Sequence, residues 1–576
     1  MKLIEFRFFL MALISTLVFA ACSKDVSKVA ATDSIEEALD LAKRLPLKTQ
    51  SRFIVDNAGK RFKLKSVNWY GASDEFNIVL GLDIKHRDEI AQSIKTAGFN
   101  SVRLPFSNEM LRIEEPVDQR LISANPDLYG KKPLEIFDAI IASLVKQNIL
   151  VILNNHTTKS QWCCGNNDND GLWYNDTFTE DQWVKDWEML TKRYKANPFV
   201  VGADLRNELR KNDKLNLSPR WGGGGENDWK RAAKRAGNAI LGVNPDILII
   251  IEGLDYAAQL RSLYKDPLEL NISNRIVYSF HSYSFFKSSG DLYDVSEQRW
   301  GADWGYILSL GQQYTAPVWV SEFGTSRNDN DPIKPAKTWW NHLMCYLQKS
   351  DIDFAYWALN GSKLAKDAKE RLKEGVDIYV NEPYGLLDQS WNYYDQDWRL
   401  KDITHYLLPT RQGPGVDASN YEPCVAVFGG RSGSAFDHSD VVMHRLSRIR
   451  IKAGDVVDSI ATTYYSLQNY SLTLSQGGDA GKTSADLVLN EGEYITEMQV
   501  AIKYYKGSQT VAGLRFDTNK RKNALIIGDY RLGSDGVKAG FENYTYQSGP
   551  SKYIAGFKGR SGNYLDSIGP IYRTLD

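Results

Sequence analysis

The chain has 576 residues, of which 43% are hydrophobic and 24% are charged, and its formal net charge is −1. This composition is ordinary for a soluble globular protein, and the near-zero net charge gives no sign of the strongly basic character expected of a nucleic-acid-binding protein. The balance of charge favours a neutral ligand. At typical domain sizes the length predicts two large domains and additional end segments.

Residues 1–22 have the organisation of a secretory signal peptide. Lys2 and Arg7 form a charged start, residues 8–21 are apolar, and small residues precede Cys22. The apolar run is short for a membrane span. The sequence therefore predicts export of the remaining chain.

The segment Phe19-Ala20-Ala21-Cys22 resembles the lipobox of bacterial lipoproteins. The resemblance implies cleavage before Cys22 and attachment of lipid to its thiol; plain cleavage or a structural thiol is the alternative. The next residue, Ser23, is not the aspartate that signals inner-membrane retention in many Gram-negative lipoproteins, so the resemblance favours an outer-membrane lipoprotein. Residues 23–50 are then expected to form a tether with one short helix.

Four further cysteines are Cys163, Cys164, Cys345 and Cys424. Export makes disulfides chemically permissible. A disulfide between the adjacent residues Cys163 and Cys164 would not connect distant strands. Cys345 is therefore a plausible partner for one of them. Four reduced, buried thiols are the alternative. No CxxC or histidine pair has the spacing of a zinc site.

Eight short apolar runs alternate with helical segments between residues 60 and 360. The predicted strands are FKLKSVNW, NSVRLPF, ILVILNN, VVGADLRN, DILIIIEG, RIVYSFHSY, APVWVSE and DFAYWALN. In the intervening segments apolar residues recur three and four positions apart, as they do on one face of a helix. These segments are HRDEIAQSIKTAG, PLEIFDAIIASLVKQN, TEDQWVKDWEMLTKRYKAN and DWKRAAKRAGNAILGVNP. Near-continuous apolar strands are buried on both faces, so the pattern predicts an α/β fold, a (β/α)8 TIM barrel. No GxGxxG follows the first strand, which argues against nucleotide binding.

Two glutamates, Glu208 and Glu322, end the fourth and the seventh predicted strands. Catalytic groups of such barrels project from the C-terminal strand ends, so we expect both side chains in one pocket. Cleavage of a glycosidic bond uses two carboxyl groups. A neutral one protonates the leaving oxygen, and an ionised one attacks the anomeric carbon. Further polar residues at strand ends are Arg103, Asn154, Asn155, His156, Asn207, His281 and Tyr283. Each alone has an ordinary structural explanation, but the joint pattern favours a site.

The motifs SVRLP, NNHTT, LRNEL, FHSY, VSEFG and YWALNG resemble the strand-end motifs of glycoside hydrolase family 5, the cellulase family, over about residues 50–410. The resemblance implies Glu208 as the acid/base and Glu322 as the nucleophile of a retaining enzyme, with the two carboxyl groups about 5 to 5.5 Å apart. It implies supporting positions at Arg103, His156, Asn207, His281, Tyr283 and Trp357.

Physical chemistry agrees with these roles. Asn207 can hold the substrate 2-hydroxyl, Tyr283 can donate to the nucleophile, and Arg103 can keep Glu322 ionised by its opposite charge. Trp357 is expected to form the floor under the sugar at the point of cleavage. The mechanism needs no metal and no cofactor.

The third strand is followed by a long irregular segment, HTTKSQWCCGNNDNDGLWYND. Its place above the pocket predicts that Trp162 or Trp173 stacks on a neighbouring sugar unit; a self-packed loop is the alternative. The NNDNDG part has Asn166 at the first position of a calcium loop and no glutamate at the twelfth, so calcium is not expected.

The barrel domain is predicted to cover residues 51–410, with a linker at 411–420 and an all-β domain at 421–576. The last domain has short runs in which apolar and polar residues alternate, among them VVDSIATTYY, YITEMQVAIKYY, TVAGLRFDTN and KYIAGFKGRSG.

The last domain resembles a jacalin-type lectin, a β-prism, in two segments: FGGRSGSAFD near its start and GFKGRSGNYLDSIG near its end. The resemblance implies sugar contacts at Gly433, Asn563, Tyr564 and Asp566. Galactose-specific members of that family use a chain end freed by proteolysis at the first glycine, whereas Gly433 is internal to this chain. The resemblance therefore implies glucose or mannose as the ligand.

The combined interpretation is an exported, lipid-anchored, endo-acting β-glycanase of polysaccharide, with β-1,4-glucan as the first candidate substrate. A lectin domain would keep the enzyme near polysaccharide by raising its effective concentration. Mannan, xyloglucan and a glycolipid headgroup are alternative substrates. A glycan-capture lipoprotein without turnover is the alternative from a different class.

Overall fold

A computed structural model describes residues 41–165, 167–286, 293–327, 336–408, 428–429, 432–438, 441, 444–465, 471–529, 541–548 and 552–575. The predicted signal peptide, the lipidation of Cys22 and the residue Cys424 lie outside the described residues. Within these ranges no helix combines the length and the apolar character needed to cross a membrane.

Eight parallel strands close into the predicted barrel. A hairpin of β1 (Lys48–Gln50) and β2 (Phe53–Val55) precedes them. The barrel strands are β3 (Lys65–Asn68), β4 (Ser101–Ser107), β5 (Leu150–Thr157), β6 (Val200–Asp204), β7 (Leu248–Glu252), β8 (Ile276–Ser282), β9 (Val318–Phe323) and β10 (Asp353–Tyr356). Pairing of β10 with β3 closes the barrel. Each of the eight predicted apolar runs contains one strand, because each must be buried on both faces.

Helices cover the outside of the barrel, as the spacing of apolar residues predicts. The helical segments of this domain are α1 (Arg87–Thr96), α2 (Pro133–Lys146), α3 (Glu180–Tyr194), α4 (Trp229–Val243), the short α5 (Leu254–Ala257), whose Asp255 and Tyr256 have left-handed backbone angles, α6 (Tyr293–Asp303), α7 (Ala336–Ser350), α8 (Ala368–Glu374) and α9 (Trp398–Asp402). The first four are the helices predicted above. A capping box at Thr179 and Gln182 begins α3, and Pro133 occupies the first turn of α2.

Short elements complete this domain. A two-stranded hairpin of β11 (Ser362–Leu364) and β12 (Tyr379–Asn381) follows the last barrel strand. The 3-10 turns are Met110–Arg112, Gln119–Ile122, Pro126–Leu128, Arg261–Tyr264, Ser284–Phe286 and Gly305–Leu308, and a π-helical turn covers Ile403–Leu407.

The barrel domain begins earlier than predicted. Leu45 and Leu47 are buried together with Ile54 of the hairpin in a cluster that includes Leu150 and Leu248 at the starts of two barrel strands. Apolar side chains of the segment before residue 50 thus cover the N-terminal end of the barrel, and burial of that surface stabilises them there. The prediction that residues 23–50 are a tether is wrong for this last part.

In the described part of the C-terminal domain, three groups of four antiparallel strands surround one apolar core. The first group is β17 (Ser471–Gly477), β16 (Val457–Tyr465), β15 (Arg445–Ala453) and β18 (Thr483–Val488); the second is β14 (Ser434–Asp437), β23 (Lys552–Ser561), β24 (Leu565–Thr574) and β13 (Phe428–Gly429); the third is β22 (Phe541–Gln547), β19 (Ile495–Tyr505), β20 (Ser508–Thr518) and β21 (Leu525–Gly528). The second and third groups join where Ile495 pairs with Ile554. Three four-stranded sides form the predicted β-prism.

Candidate active site

Arg103 on β4 is the centre of a buried charge network at the C-terminal end of the barrel. Its Nε donates to Asp204 at 2.7 Å, its Nη1 to Glu322 at 2.6 Å and its Nη2 to Glu252 at 2.8 Å. The arginine, Asp204 and Glu252 have no exposed side-chain surface. Burial alone would lower the pKa of Arg103, but the three carboxylates raise it above its ordinary value. A guanidinium in this position must stay charged, because each buried carboxylate depends on it.

Glu208 lies four residues beyond the end of β6 rather than on the strand itself, at a backbone φ of +44°. Its backbone N–H donates to Oε2 of Glu252 at 2.8 Å, and its carbonyl accepts from Nη1 of Arg210 at 2.9 Å. These two contacts hold the left-handed backbone that directs the side chain into the pocket.

Glu322 on β9 receives two hydrogen bonds. Arg103 binds Oε1, and the hydroxyl of Tyr283 donates to Oε2 at 2.9 Å. Burial raises the pKa of Glu322, while the charges of His281 and Arg103 oppose this shift. Arg103 therefore acts in the predicted direction, but it does not outweigh the effect of burial.

His281 on β8 lies between the two glutamates. Its Nδ1 is 2.8 Å from Oε1 of Glu208 and 3.6 Å from Oε2 of Glu322, and its Nε2 is 3.5 Å from Glu252. One carboxylate oxygen of Glu208, one of Glu322 and one ring nitrogen of His281 all lie within 4.8 Å of one another. Burial would lower the pKa of His281, yet Glu322 and Glu252 raise it well above its ordinary value. The trio has donor types that a metal ion accepts, but a protonated imidazole offers no lone pair to a metal.

Glu252 and Asp204 were not singled out in the sequence, although each is the last residue of a barrel strand in the structure. Asp204 accepts from Nδ2 of Asn154 at 3.0 Å as well as from Arg103. Burial and the neighbouring charge of Glu252 raise the pKa of Asp204 to about 7. The apolar runs VVGADLRN and DILIIIEG contained the signal, since an acidic residue at the end of a buried strand needs a partner.

His156 and Trp357 form one aromatic layer with Tyr70. The ring of Trp357 stacks on Tyr70 at 4.9 Å and on His156 at 5.5 Å between centroids, with interplanar angles of 5° and 9°. Burial, with the charges of Arg103 and His281, lowers the pKa of His156 well below its ordinary value, so the ring is neutral.

The hydrogen bonds of His156 define its tautomer. Asn154 uses Nδ2 to donate to Asp204, so its Oδ1, 2.8 Å from Nδ1 of His156, must accept. The proton of the neutral imidazole is therefore on Nδ1, which leaves Nε2 as an acceptor.

Asn207 presents a donor to the pocket. Its Oδ1 accepts from Nη2 of Arg103 at 2.8 Å, and its Nδ2 lies 3.6 Å from the sulfurs of both Cys163 and Cys164. These cysteines form a disulfide with each other. The predicted pairing of one of them with Cys345 and the alternative of reduced thiols are both wrong, because neighbouring cysteines can close a small ring within one loop. Cys345 is itself disulfide-bonded.

The two tryptophans of the long loop have different environments. Trp173 has no exposed surface, packs against Trp183 and Trp229 and donates to Glu180 at 2.9 Å, so the prediction that it stacks on a sugar is wrong. Trp162 is 50% exposed and lies edge-on to Tyr70, with ring centroids 5.6 Å apart. Only Trp162 of this pair remains available to a ligand.

A second candidate site lies in the β-prism. A cavity of about 390 Å³ is lined by Ser432, Gly433, Tyr505, Lys506, Ser508, Gly562, Asn563, Tyr564 and Asp566. All four predicted sugar-contact residues are in this set. Lys506, which sequence reasoning missed, donates to the hydroxyl of Tyr564 at 2.9 Å.

Gly433 and Asp566 approach each other closely in this cavity. Gly433 has a φ of +72°, and a Cβ at this position would lie 2.5 Å from Oδ2 of Asp566. Only glycine therefore allows the backbone to approach the carboxylate so closely. Burial raises the pKa of Asp566, against the opposing charge of Arg560.

Comparisons with known proteins identify the families of both domains. Residues 55–363, more than half of the chain, match the family described as Cellulase (glycosyl hydrolase family 5), and residues 425–571 match the Jacalin-like lectin domain. An Endoglucanase of Paenibacillus polymyxa is 36% identical over 330 residues, which cover 54% of this chain and 79% of that protein. The solved catalytic domain of the major endoglucanase from Xanthomonas campestris pv. campestris is 28% identical with a TM-score of 0.52, covering 62% of this chain and 99% of that one. Horcolin of Hordeum vulgare is 29% identical over 147 residues, covering 25% of this chain and 92% of horcolin. The chain is thus a glycoside hydrolase that belongs to glycosyl hydrolase family 5 and has a jacalin-like lectin domain after its barrel.

Proposed function

We propose that the protein is a retaining endo-β-glycanase with Glu322 as nucleophile and Glu208 as acid/base. The observation that carries this proposal is the approach of their carboxylate oxygens to within 4.8 Å. Retaining enzymes hold the two carboxyl groups about 5 to 5.5 Å apart, whereas inverting enzymes need about 6.5 to 9.5 Å to admit a water molecule. The short separation favours direct attack by one carboxylate.

In the first step an oxygen of Glu322 bonds to the anomeric carbon while the glycosidic C–O bond breaks. Glu208 gives its proton to the departing oxygen, which leaves as the hydroxyl of the shortened chain. In the second step Glu208 takes a proton from water, the water oxygen bonds to the anomeric carbon, and the bond to Glu322 breaks. The enzyme returns to its starting protonation.

Neighbouring groups prepare each glutamate for its role. Arg103 and Tyr283 bind the two oxygens of Glu322 and fix the direction of attack. His281 binds Oε1 of Glu208, which leaves Oε2 to face the glycosidic oxygen.

The substrate sugar would lie over Trp357. Nδ2 of Asn207 is the donor for the 2-hydroxyl, and Nε2 of His156 is an acceptor for a hydroxyl of the same ring. Trp357 is only partly buried, and an aromatic ring suits the C–H face of a pyranose. Exposed Trp162 would contact a neighbouring unit of the chain.

The substrate we propose is β-1,4-glucan. The relatives from Paenibacillus polymyxa and Xanthomonas campestris are named endoglucanases, which supports a glucan and internal cleavage. Hydrolysis of a panel of carboxymethyl cellulose, mannan, xyloglucan, xylan and β-1,3-glucan tests this, with Glu208→Gln and Glu322→Gln as matched controls that keep side-chain size. Preference for carboxymethyl cellulose, lost in both variants, is the expected result. Preference for mannan, or activity on none of the polymers, would redirect the assignment to a mannanase or to a glycolipid substrate.

For the β-prism we propose binding of glucose or mannose units, which would hold the enzyme at polysaccharide. Asp566 would accept hydrogen bonds from two sugar hydroxyls, with backbone N–H groups as donors. The internal position of Gly433 supports this sugar class.

For the N-terminus we propose lipidation of Cys22 and attachment to the bacterial outer membrane, on the lipobox-like sequence before it. Metabolic labelling with a fatty acid and membrane fractionation of the wild type and of Cys22→Ala test this. Unchanged labelling of the variant would contradict it.

A further inference from the structure

The disulfide between Cys163 and Cys164 lies beside the reacting groups. Both sulfurs are 3.6 Å from Nδ2 of Asn207, and the sulfurs and a carboxylate oxygen of Glu208 lie within 4.8 Å of one another. Both cysteines are only partly buried. The disulfide therefore forms part of the pocket wall on the side of Asn207 and Glu208.

The loop that carries the disulfide is tied on both sides. Before it, the backbone N–H of Gln161 donates to the carbonyl of Ser73 at 3.0 Å. After it, Nε of Arg210 donates to the carbonyl of Gly165 at 3.2 Å, and Nη1 of the same arginine donates to the carbonyl of Glu208 at 2.9 Å. Arg210 thus connects the loop directly to the backbone of Glu208.

The amide of Asn207 is held between two unlike partners. Arg103 binds Oδ1, and the disulfide closes the space beside Nδ2. Sulfur is a weak acceptor, so these contacts contribute little binding energy. Their larger effect is steric, because the terminal torsion of asparagine is broad and a rigid wall restricts it. Reduction would replace one S–S bond with two thiols that repel each other at van der Waals distance and rotate independently.

We propose that the Cys163–Cys164 disulfide is a positioning element that holds the Asn207 amide in its productive orientation, so that the oxidised enzyme has full turnover. The inference rests on the proposed role of Asn207 towards the substrate 2-hydroxyl. Both cysteines act through Asn207 and are not themselves reacting groups.

A double-mutant cycle tests the proposal in the full chain. Cys163→Ser/Cys164→Ser is expected to lower kcat on an aryl β-cellobioside about 10-fold with little change in KM, since small displacements of a positioning group cost this much or more. In an Asn207→Ala background the same pair of substitutions should change kcat less than about 2-fold. Cys345→Ser is the matched control, because it removes a disulfide-bonded cysteine of α7, a helix that carries none of the pocket residues named above. Its kcat should equal that of the wild type.

Reduction provides a second test that needs no substitution at the site. A dithiol reductant supplies two electrons and two protons, giving two thiols and one cyclic disulfide of the reductant. Applied to the Cys345→Ser enzyme, it should lower kcat about 10-fold, and reoxidation should restore it. Alkylation followed by mass spectrometry of the peptide with Cys163 and Cys164 establishes the extent of reduction.

The outcomes separate this inference from the proposed function. An unchanged kcat in the double serine variant and after complete reduction, with a reduced kcat in Asn207→Ala, would overturn the positioning role and leave the assignment of Asn207 intact. Full additivity of the two losses would also overturn it. Unchanged turnover in Asn207→Ala would overturn both this inference and the role of Asn207.

Discussion

The hydroxyl of Tyr283 donates a 2.9 Å hydrogen bond to Oε2 of Glu322. Burial raises the pKa of Tyr283 well above its ordinary value, and the charge of Glu322 raises it further. The phenol therefore keeps its proton wherever the enzyme is folded and active. A neutral donor of this kind fixes the carboxylate without neutralising it.

Tyr283→Phe is expected to lower kcat/KM about 10- to 100-fold, because a hydrogen bond to a charged group contributes about 1.5 to 3 kcal/mol. The ring and its packing remain, so the melting temperature should change little. Steady-state kinetics on an aryl β-cellobioside with parallel calorimetry measures both. A variant with wild-type kcat/KM would show that the contact has no part in catalysis.

The position of His281 predicts a change in pH dependence. The positive imidazolium lowers the pKa of Glu322, against the effect of burial. His281→Gln removes that charge, so the pKa of Glu322 should rise further and the acid limb of kcat/KM should move to higher pH, since the nucleophile must be ionised.

His156→Gln is the matched control for this experiment. His156 is neutral because burial lowers its pKa, so its replacement removes no charge. Whatever this substitution does to the rate, the acid limb should stay in place. An unmoved limb in His281→Gln, or equal movement in both variants, would contradict the electrostatic account.

The buried carboxyl group of Asp74 should make the free energy of unfolding depend on pH. The side chain is 4% exposed and its Oδ2 has no hydrogen-bond partner among the described residues. Burial raises the pKa of Asp74 from 3.8 to about 8. The folded state therefore binds this proton more tightly than the unfolded state, and the stability from this group is present below pH 4 and lost as pH rises through 8.

Asp74→Asn should consequently be more stable than the wild type at pH 8.5 and similar to it near pH 4. All 15 tryptophans precede residue 400, so tryptophan fluorescence during urea unfolding follows the barrel alone. Equal urea midpoints of the two proteins at pH 8.5 would contradict a buried, neutral Asp74.

For the β-prism, Asp566→Asn is expected to weaken glucose or mannose binding at least about 10-fold, because a charged acceptor of two hydroxyls is lost. Gly433→Ala should abolish binding, since the added Cβ would meet the carboxylate of Asp566 at 2.5 Å. Asp486→Asn is the control, because Asp486 pairs with Arg448 and Arg450 outside the cavity. Titration calorimetry on the full chain measures all three; equal affinities would contradict the sugar site.

The order of strands and helices was predictable because local patterns determine it. Apolar runs such as DILIIIEG cannot face water, and helices with apolar residues at three and four must cover them. The strand-end rule then placed Glu322 and Glu208 in one pocket. The separation of their carboxylates, in contrast, depends on the left-handed backbone at Glu208, which no local pattern indicates.

The remaining features depend on contacts between distant parts of the chain. Glu252 has a sequence signal as an acidic residue in an apolar run, but its role is defined only by its contacts with Arg103 and the backbone N–H of Glu208. Trp173 and Trp162 belong to the same loop, and only packing distinguishes the buried ring from the exposed one. The pairing of Cys163 with Cys164 was not predicted from the sequence, because it closes a ring within one loop and connects no distant strands.

The most direct test of the account is identification of the residue that carries the glycosyl group. A 2-deoxy-2-fluoro-β-cellobioside with a 2,4-dinitrophenyl leaving group slows both steps and lets the covalent intermediate accumulate. Peptide mass spectrometry after brief incubation should find the fluorosugar on Glu322, and the Glu322→Gln variant should remain unlabelled. A label on Glu208, or initial products of inverted anomeric configuration with no label, would contradict the assignment.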